Sequence, residues 1–418
     1  MLRVLLLWAL SLPLLAAPPS DTVAQQLFAA SKSAVYRIDV INPATGRKSS
    51  LGTGFVFGDS QMLASNFHVI ADKVHNPEQS RLEWLSTDGR RGPLTVVDID
   101  VVHDLALLKA EQPLGTPFTT TAIPPKGAAI YSLGHPLGLD LAIVGGTANG
   151  LLEKALFDKI HFSGNLNPGM SGGPTLDANG QVVGVNVSTA GEAVSFLVPA
   201  RYLDGLLTRA KARQFAPPAD FKTAIADQLK AHNARLLEEF LGSDWLVEPL
   251  GQARVPGEIS PRINCWGEQQ EAREQQPYRM LASLCRGDDE VFISGNHGAG
   301  LISYEFFWLD SDKLKGRSFT ALYEQHFNST FPSGADEEDV GNFSCSVRFV
   351  DIGGKPFKAN VCARPYRDYP GMVDFMAVLA LTGQANQGLV MTLDLGMVTI
   401  DHGITLLGAL LERISWLS

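Results

Sequence analysis

The sequence predicts a mainly β protein in two parts, and three observations lead there. From about residue 22 to 207, short apolar or alternating runs are separated by Gly, Pro and Asp, the text of an all-β barrel or sandwich. Beyond Pro217-Pro218 the period changes, and Phe221, Ile225, Leu229, Leu236, Leu237 and Phe240 recur at helical spacing until Gly242 stops the run. All four cysteines, Cys265, Cys285, Cys345 and Cys362, lie after that helix. The expected division is an export signal at 1–17, a β domain at 22–210, a connector helix at 216–242 and a disulfide-containing, mostly β (α+β) accessory domain at 243–418.

The signal reading rests on Arg3, the apolar run from Val4 to Leu15 and the small pair Ala16-Ala17, with a run too short for a bilayer span. It implies a periplasmic or secreted protein with no stable membrane span in the mature form. Strands are expected at 35–40, 54–57, 82–85, 96–102, 105–108, 129–133 and 182–187. The second region should hold strands at 291–293, 302–308, 345–350, 357–362, 375–381 and 390–395, with a helix at 404–414. The chain has 34 Lys plus Arg against 44 Asp plus Glu, a formal charge of −10. That balance, with no basic cluster, argues against nucleic acid as a partner.

An even cysteine count behind an export signal fits two disulfides, and the spacings match no paired C-x-x-C metal site. If Gly353-Gly354 forms a two-residue hairpin turn, residues on either side pair outward from it, and Cys345 lies opposite Cys362. The expected pairs are therefore Cys345-Cys362 and Cys265-Cys285. No metal and no cofactor is expected.

The strongest chemical signal is Gly169-Met170-Ser171-Gly172-Gly173-Pro174. A serine hydroxyl is a weak nucleophile without an adjacent base and donors aimed at the oxyanion. Gly169 can turn its N–H toward the site, with the N–H of Ser171 as second donor. These letters also satisfy G-x-S-x-G, the nucleophile elbow of lipases and esterases. Context argues against the elbow, because Pro168 before and Gly172-Gly173-Pro174 after resist its strand-to-helix turn. Order argues against it too: the elbow enzymes place acid and base after the serine, whereas His68 and Asp104 precede Ser171 here.

His68 follows the Gly52-to-Phe57 strand and a Gly58-Asp59 turn, while His75, His103, His135 and His161 compete with it. Asp104 opens Asp104-Leu105-Ala106-Leu107-Leu108-Lys109, a carboxylate at the mouth of a strand, where it can accept the imidazole N–H. Asp98 and Asp100 are its ordinary substitutes, since Asp at a strand start usually serves turn chemistry.

Taken in order, Gly52-Thr53-Gly54-Phe55, Asn66-Phe67-His68-Val69-Ile70, Asp104 to Lys109, Gly134-His135-Pro136-Leu137-Gly138, Asn167 to Pro174 and Gly184-Val185-Asn186 resemble the HtrA (Deg) branch of the trypsin-like serine peptidases. The resemblance spans residues 22–207. It implies a double β-barrel with His68, Asp104 and Ser171 in the cleft, and hydrolysis of peptide bonds through an acyl-enzyme. It assigns the walls of the primary pocket to Leu166 and to the strand Asn186, Val187, Ser188 and Thr189. No acidic residue lies between Ser163 and Ser171, so small or medium apolar residues are the expected choice. Met170 stands where the family usually has Asn and secreted relatives an Asp that pairs with a freed N-terminus, so that ion pair is not implied. The segment after Ser243 shows no PDZ carboxylate-binding loop. Protein or peptide substrates are the expected partners, with the accessory domain recruiting a substrate or partner. A catalytically idle fold serving as a binding module is the alternative, and an esterase a third.

Overall fold

A computed structural model describes residues 22–417 apart from 192, 288, 296–297 and 328–333; for 188–190 and 325–327 it describes the backbone alone. The proposed export signal lies outside the described residues.

Twelve strands close two barrels. The first contains β1 (Val35–Ile41), β2 (Lys48–Val56), β3 (Met62–Ser65), β4 (Arg81–Leu85), β5 (Arg91–Asp100) and β6 (Leu105–Ala110). The second contains β7 (Ala129–Gly134), β8 (Ala142–Leu151), β9 (Ile160–Phe162), β10 (Pro174–Leu176), β11 (Val182–Gly191) and β12 (Val194–Pro199). The order β1-β2-β3-β6-β5-β4 in one barrel is repeated in the other as β7-β8-β9-β12-β11-β10. Closure gives every strand a neighbour on both sides over at least part of its length, which removes most of the exposed edges of an open sheet. The sequence pattern follows: β4 alternates, with Leu82 and Trp84 buried, while the apolar run of β6 is buried on both faces except at Lys109.

Four helices frame the barrels: α1 (Val23–Ser31), α2 (Phe67–His75), α3 (Arg201–Ala212) and α4 (Phe221–Gly242). The expected connector is α4, beginning at Phe221 rather than 216, because Asp220 caps it by accepting from the N–H groups of Lys222 and Thr223. It touches both halves of the chain. Gln228 accepts from Val101 N–H and donates to Ile99 O, while Asn233 donates to Met397 O at 2.8 Å. Its apolar face, including Ile225, Leu229 and Phe240, joins one buried cluster that runs from the first barrel into the C-terminal half.

That half is built on a seven-stranded antiparallel sheet in the order Asn264–Gln270, Arg279–Arg286, Ile302–Asp310, Gln387–Val398, Val373–Leu381, Lys355–Pro365 and Ser344–Ile352. Both disulfides are formed as expected, Cys265–Cys285 and Cys345–Cys362. Gly353 and Gly354 both have positive φ, and the hairpin register pairs Cys345 with Cys362 at a Cα separation of 4.0 Å. Each disulfide thus ties an outermost strand of the sheet to its inner neighbour. The last helix runs Ile400–Leu411, starting four residues before the expected 404 because Thr399 caps it through the His402 N–H. Among the described residues no helix is long and apolar enough to cross a membrane.

Candidate active site

The register of β3 with β6 brings His68 and Asp104 together. Ser65, the last residue of β3, pairs with Ala106, so the chain leaving β3 and the chain entering β6 meet at one barrel end. His68 lies in the first turn of α2, whose orphan N–H groups need acceptors. Asp104 supplies them, in a left-handed conformation with φ of 52° that Asp tolerates better than most residues. Its carbonyl accepts from Phe67 N–H at 3.2 Å and from the Asn66 amide at 2.7 Å. Its carboxylate accepts from His68 N–H at 2.8 Å and from His68 Nδ1 at 2.6 Å. With Nδ1 donating to Asp104, Nε2 of the neutral ring is left as the basic nitrogen. Burial opposes the charged imidazole, but the charge and hydrogen bond of Asp104 outweigh it, and the His68 pKa lies above the ordinary histidine value.

The competing residues are engaged elsewhere. His103 bonds Asp100 at 3.0 Å and stacks on Tyr202 at 3.6 Å. Asp98 pairs with Arg209 and Arg213. His75 donates from Nε2 to Ile293 O. His135 is buried beside Thr53, and desolvation with the nearby Arg37 charge lowers its pKa to about 4. His161 sits in β9 with its ring 6.5 Å from that of Phe196.

Ser171 occupies a tight turn between Gly169 (φ 94°) and Gly172 (φ 82°). A side chain at Gly169 would put a Cβ 2.4 Å from His135 O, and one at Gly172 would put it 2.2 Å from Thr53 O. The turn therefore needs glycine on both conformational and steric grounds. Thr53, in β2 of the other barrel, binds it from below: its N–H donates to Ser171 O at 2.8 Å and its hydroxyl to Gly169 O at 2.7 Å. With both carbonyls held inward, the N–H groups of Gly169 and Ser171 have no acceptor within the chain among the described residues. Two adjacent free donors are the chemistry an oxyanion requires. The Ser171 hydroxyl donates to Val187 O at 3.3 Å, and not to His68, among the described residues; such catalytic contacts often tighten only when substrate binds.

Two sequence expectations need correction. Asn186 does not face a pocket: it is fully buried, and its amide joins Ser132 and Thr175 hydroxyls to Leu133 O and Met170 O. It braces the serine turn from inside the barrel. Leu166 is likewise packed with Met170, Ile130 and Phe162 in the core of the second barrel. The side chains of Ser188 and Thr189 lie outside the described residues, while Val187 lines a cavity beside His68. Met170 is fully buried in that same core, so an apolar contact fills the place of the family's polar residue. Sequence reading missed Thr53 and Asn186 as supports, since a β-branched strand residue and a buried amide give no catalytic signal of their own.

Two closed six-stranded barrels thus meet at a junction that carries this serine turn and the histidine–aspartate pair. Residues 52–185 match the family model described as a trypsin-like peptidase domain. Within that class the likeness is to HtrA proteins. The chain is 29% identical over 180 residues to the mitochondrial serine protease HTRA2 of Drosophila pseudoobscura pseudoobscura, a match covering 40% of each chain. It is 28% identical over the same length to the corresponding protein of Drosophila ananassae. The chain thus spans about 40% of the length of these relatives. A solved serine endoprotease from Yersinia pestis aligns with 47% of this chain and 68% of its own, at 22% identity and a TM-score of 0.40.

Proposed function

We propose that this chain is an exported serine endopeptidase in which Ser171 is the nucleophile, His68 its general base and Asp104 the group that orients and stabilises the imidazole. The observation that carries the reading is the His68–Asp104 contact of 2.6 Å, made beside a serine turn whose Gly169 and Ser171 N–H groups have no acceptor among the described residues. In the reaction, His68 Nε2 takes the Ser171 proton as Oγ adds to the scissile carbonyl. The oxyanion is received by the two N–H groups, and Asp104 stabilises the imidazolium that forms. His68 then gives its proton to the departing amine, and water enters by the same route to free the acyl group. A small or medium apolar residue suits the cleavage position, because no acidic residue lies between Ser163 and Ser171 to pair with Lys or Arg.

Two disulfides fit an oxidising compartment, which supports export to the periplasm or exterior. We assign 22–210 to the peptidase, 216–242 to the connector and 243–418 to an accessory domain that serves the same cleft. The binding-module alternative draws on the Ser171 hydroxyl's contact with Val187 O. A fluorophosphonate probe separates the two readings. Labelling of the wild type that disappears in Ser171→Ala supports catalysis, whereas no labelling, or equal labelling of both, supports an idle fold.

A further inference from the structure

Among the described residues, the C-terminal half approaches the cleft at a short hairpin, Val291–Phe292 paired with Gly298–Ala299. Its approach is anchored to both barrels. Asp289 accepts from Leu156 N–H at 3.0 Å and from Lys159 Nζ at 2.6 Å on the second barrel. On the first, Ile293 O accepts from His75 Nε2 at 2.7 Å, one helix with His68. Held between these points, the Phe292 ring meets the rings of Phe67 and His68 edge-on, with centroids 6.2 and 5.9 Å away.

Between Phe292 and the barrels lies a cavity of 420 Å³ whose walls include His68, Val101, Phe157, Val187, Val291 and Phe292. Of its charged walls, Lys159 pairs with Asp289, Asp158 with Arg201 and Asp104 with His68, while Glu290 is exposed. What it offers a ligand is an apolar surface against the imidazole. Of the residues expected to wall the pocket at the cleavage position, Val187 lines this cavity and Leu166 does not, so the two sites adjoin at Val187.

The direction of approach follows from β11. β10 pairs with this strand only from Val182 to Val185, and Asn186 is bonded to the serine turn. From Val187 to Thr189 no strand covers that side among the described residues. A peptide lying antiparallel on this open edge continues the line of β10, with the residues before its scissile bond running away from Ser171. Successive side chains of an extended peptide point to opposite sides. If the residue at the cleavage position faces Leu166, the residue before it faces His68 and the cavity.

We propose that Phe292 and Val291 complete a substrate subsite over His68, one that selects an apolar side chain at the residue immediately before the cleavage position, so that the accessory half sets specificity at the catalytic cleft. The assignment rests on the endopeptidase reading of the same site. Its test compares two fluorescein-labelled peptides that differ only in Leu or Gly at that position, bound to full-length Ser171→Ala and followed by anisotropy. The Leu peptide should bind roughly 10-fold tighter, the smaller end of what an apolar pocket discriminates. Adding Phe292→Ala should bring the ratio close to one, and Phe292→Leu should restore most of it, with thermal melting confirming that both variants fold. An unchanged ratio in Phe292→Ala, or no binding of either peptide, overturns the proposal. So does a uniform acceleration of Leu and Gly peptide cleavage by Phe292→Ala with Ser171 intact, which would make Phe292 a plug over His68. A Phe292-dependent ratio without cleavage by the wild type would keep the subsite and refute the hydrolytic reading; cleavage with a Phe292-independent ratio would do the reverse.

Discussion

The two halves of the molecule are both β-rich, but they solve different problems. In the barrels every strand has two neighbours, and the candidate catalytic groups sit where paired strands end: His68 three residues beyond β3, Asp104 one residue before β6 and Ser171 three before β10. Fixing the register of strands fixes the geometry of the site. The C-terminal sheet is open, and its two outermost strands are each held by a disulfide. An open edge frays and invites pairing with other chains, so a covalent link there protects the part of the sheet that closure protects in the barrels. On the proposed reading, chemistry belongs to the closed half and support to the stapled half, with Phe292, packed against His68, as the point where they meet.

The sharpest way to break this division is to disturb the closed half without altering its fold. Asp104→Asn keeps the shape but presents an amide to His68 Nδ1, favouring the wrong tautomer. A loss on the order of 10⁴-fold in kcat is expected from the behaviour of such triads, with little change in thermal stability; a loss under about tenfold would remove Asp104 from the mechanism. Thr53→Val keeps the β-branched shape but deletes the hydroxyl that holds Gly169 O. Kinetics should show a drop in kcat of about 10²-fold, the scale of one misaligned oxyanion donor, with KM nearly unchanged. A change confined to KM would show that Thr53 shapes binding instead.

The pH profile probes the same half more gently. Because Asp104 raises the His68 pKa, the ring stays protonated to a higher pH than a free histidine and serves as base only above that point. The acidic limb of kcat/KM should therefore fall above about pH 6.5, the ordinary histidine value. In a folded Asp104→Ala variant the limb, read from residual activity, should move to lower pH; an unmoved limb would assign it to another group.

The smallest expected effect on catalysis comes from the stapled half. Replacing Cys345 and Cys362 with serine opens a loop of 17 residues and should cost about 3 kcal/mol of stability in the chain-entropy view, read by denaturant unfolding. Fluorophosphonate labelling at a temperature where the protein stays folded should be unchanged. Labelling that falls in step with stability would show that the halves unfold as one unit and that the division between them is too sharp.

Legibility in the sequence followed the locality of the physics. The Gly353-Gly354 turn fixed a short register and with it the Cys345–Cys362 pair, because both partners lie within one hairpin. The run from Leu105 to Leu108 was readable as a strand since it is apolar on both faces. β8 and β9 were not, because Gly145, Gly146 and Gly150 dilute the first and the second has only three residues. Asn264–Gln270 was hidden by its polar composition and exposed position at the sheet edge. The candidate site was legible in its residue types and order, while the residues that brace it were not. Asn186 looked like a pocket residue until its amide was seen to be spent on four buried partners, and Phe292 meets His68 across more than two hundred residues of chain, a contact that no local pattern encodes.

The most direct test of the central claim is cleavage of a mixed peptide library by the full-length protein, followed by mass spectrometry with wild type and Ser171→Ala side by side. The account predicts new peptide termini in the wild type, clustered after small or medium apolar residues, and their disappearance in Ser171→Ala. Equal cleavage by both proteins, or turnover of short esters with no peptide bond cut, would contradict it.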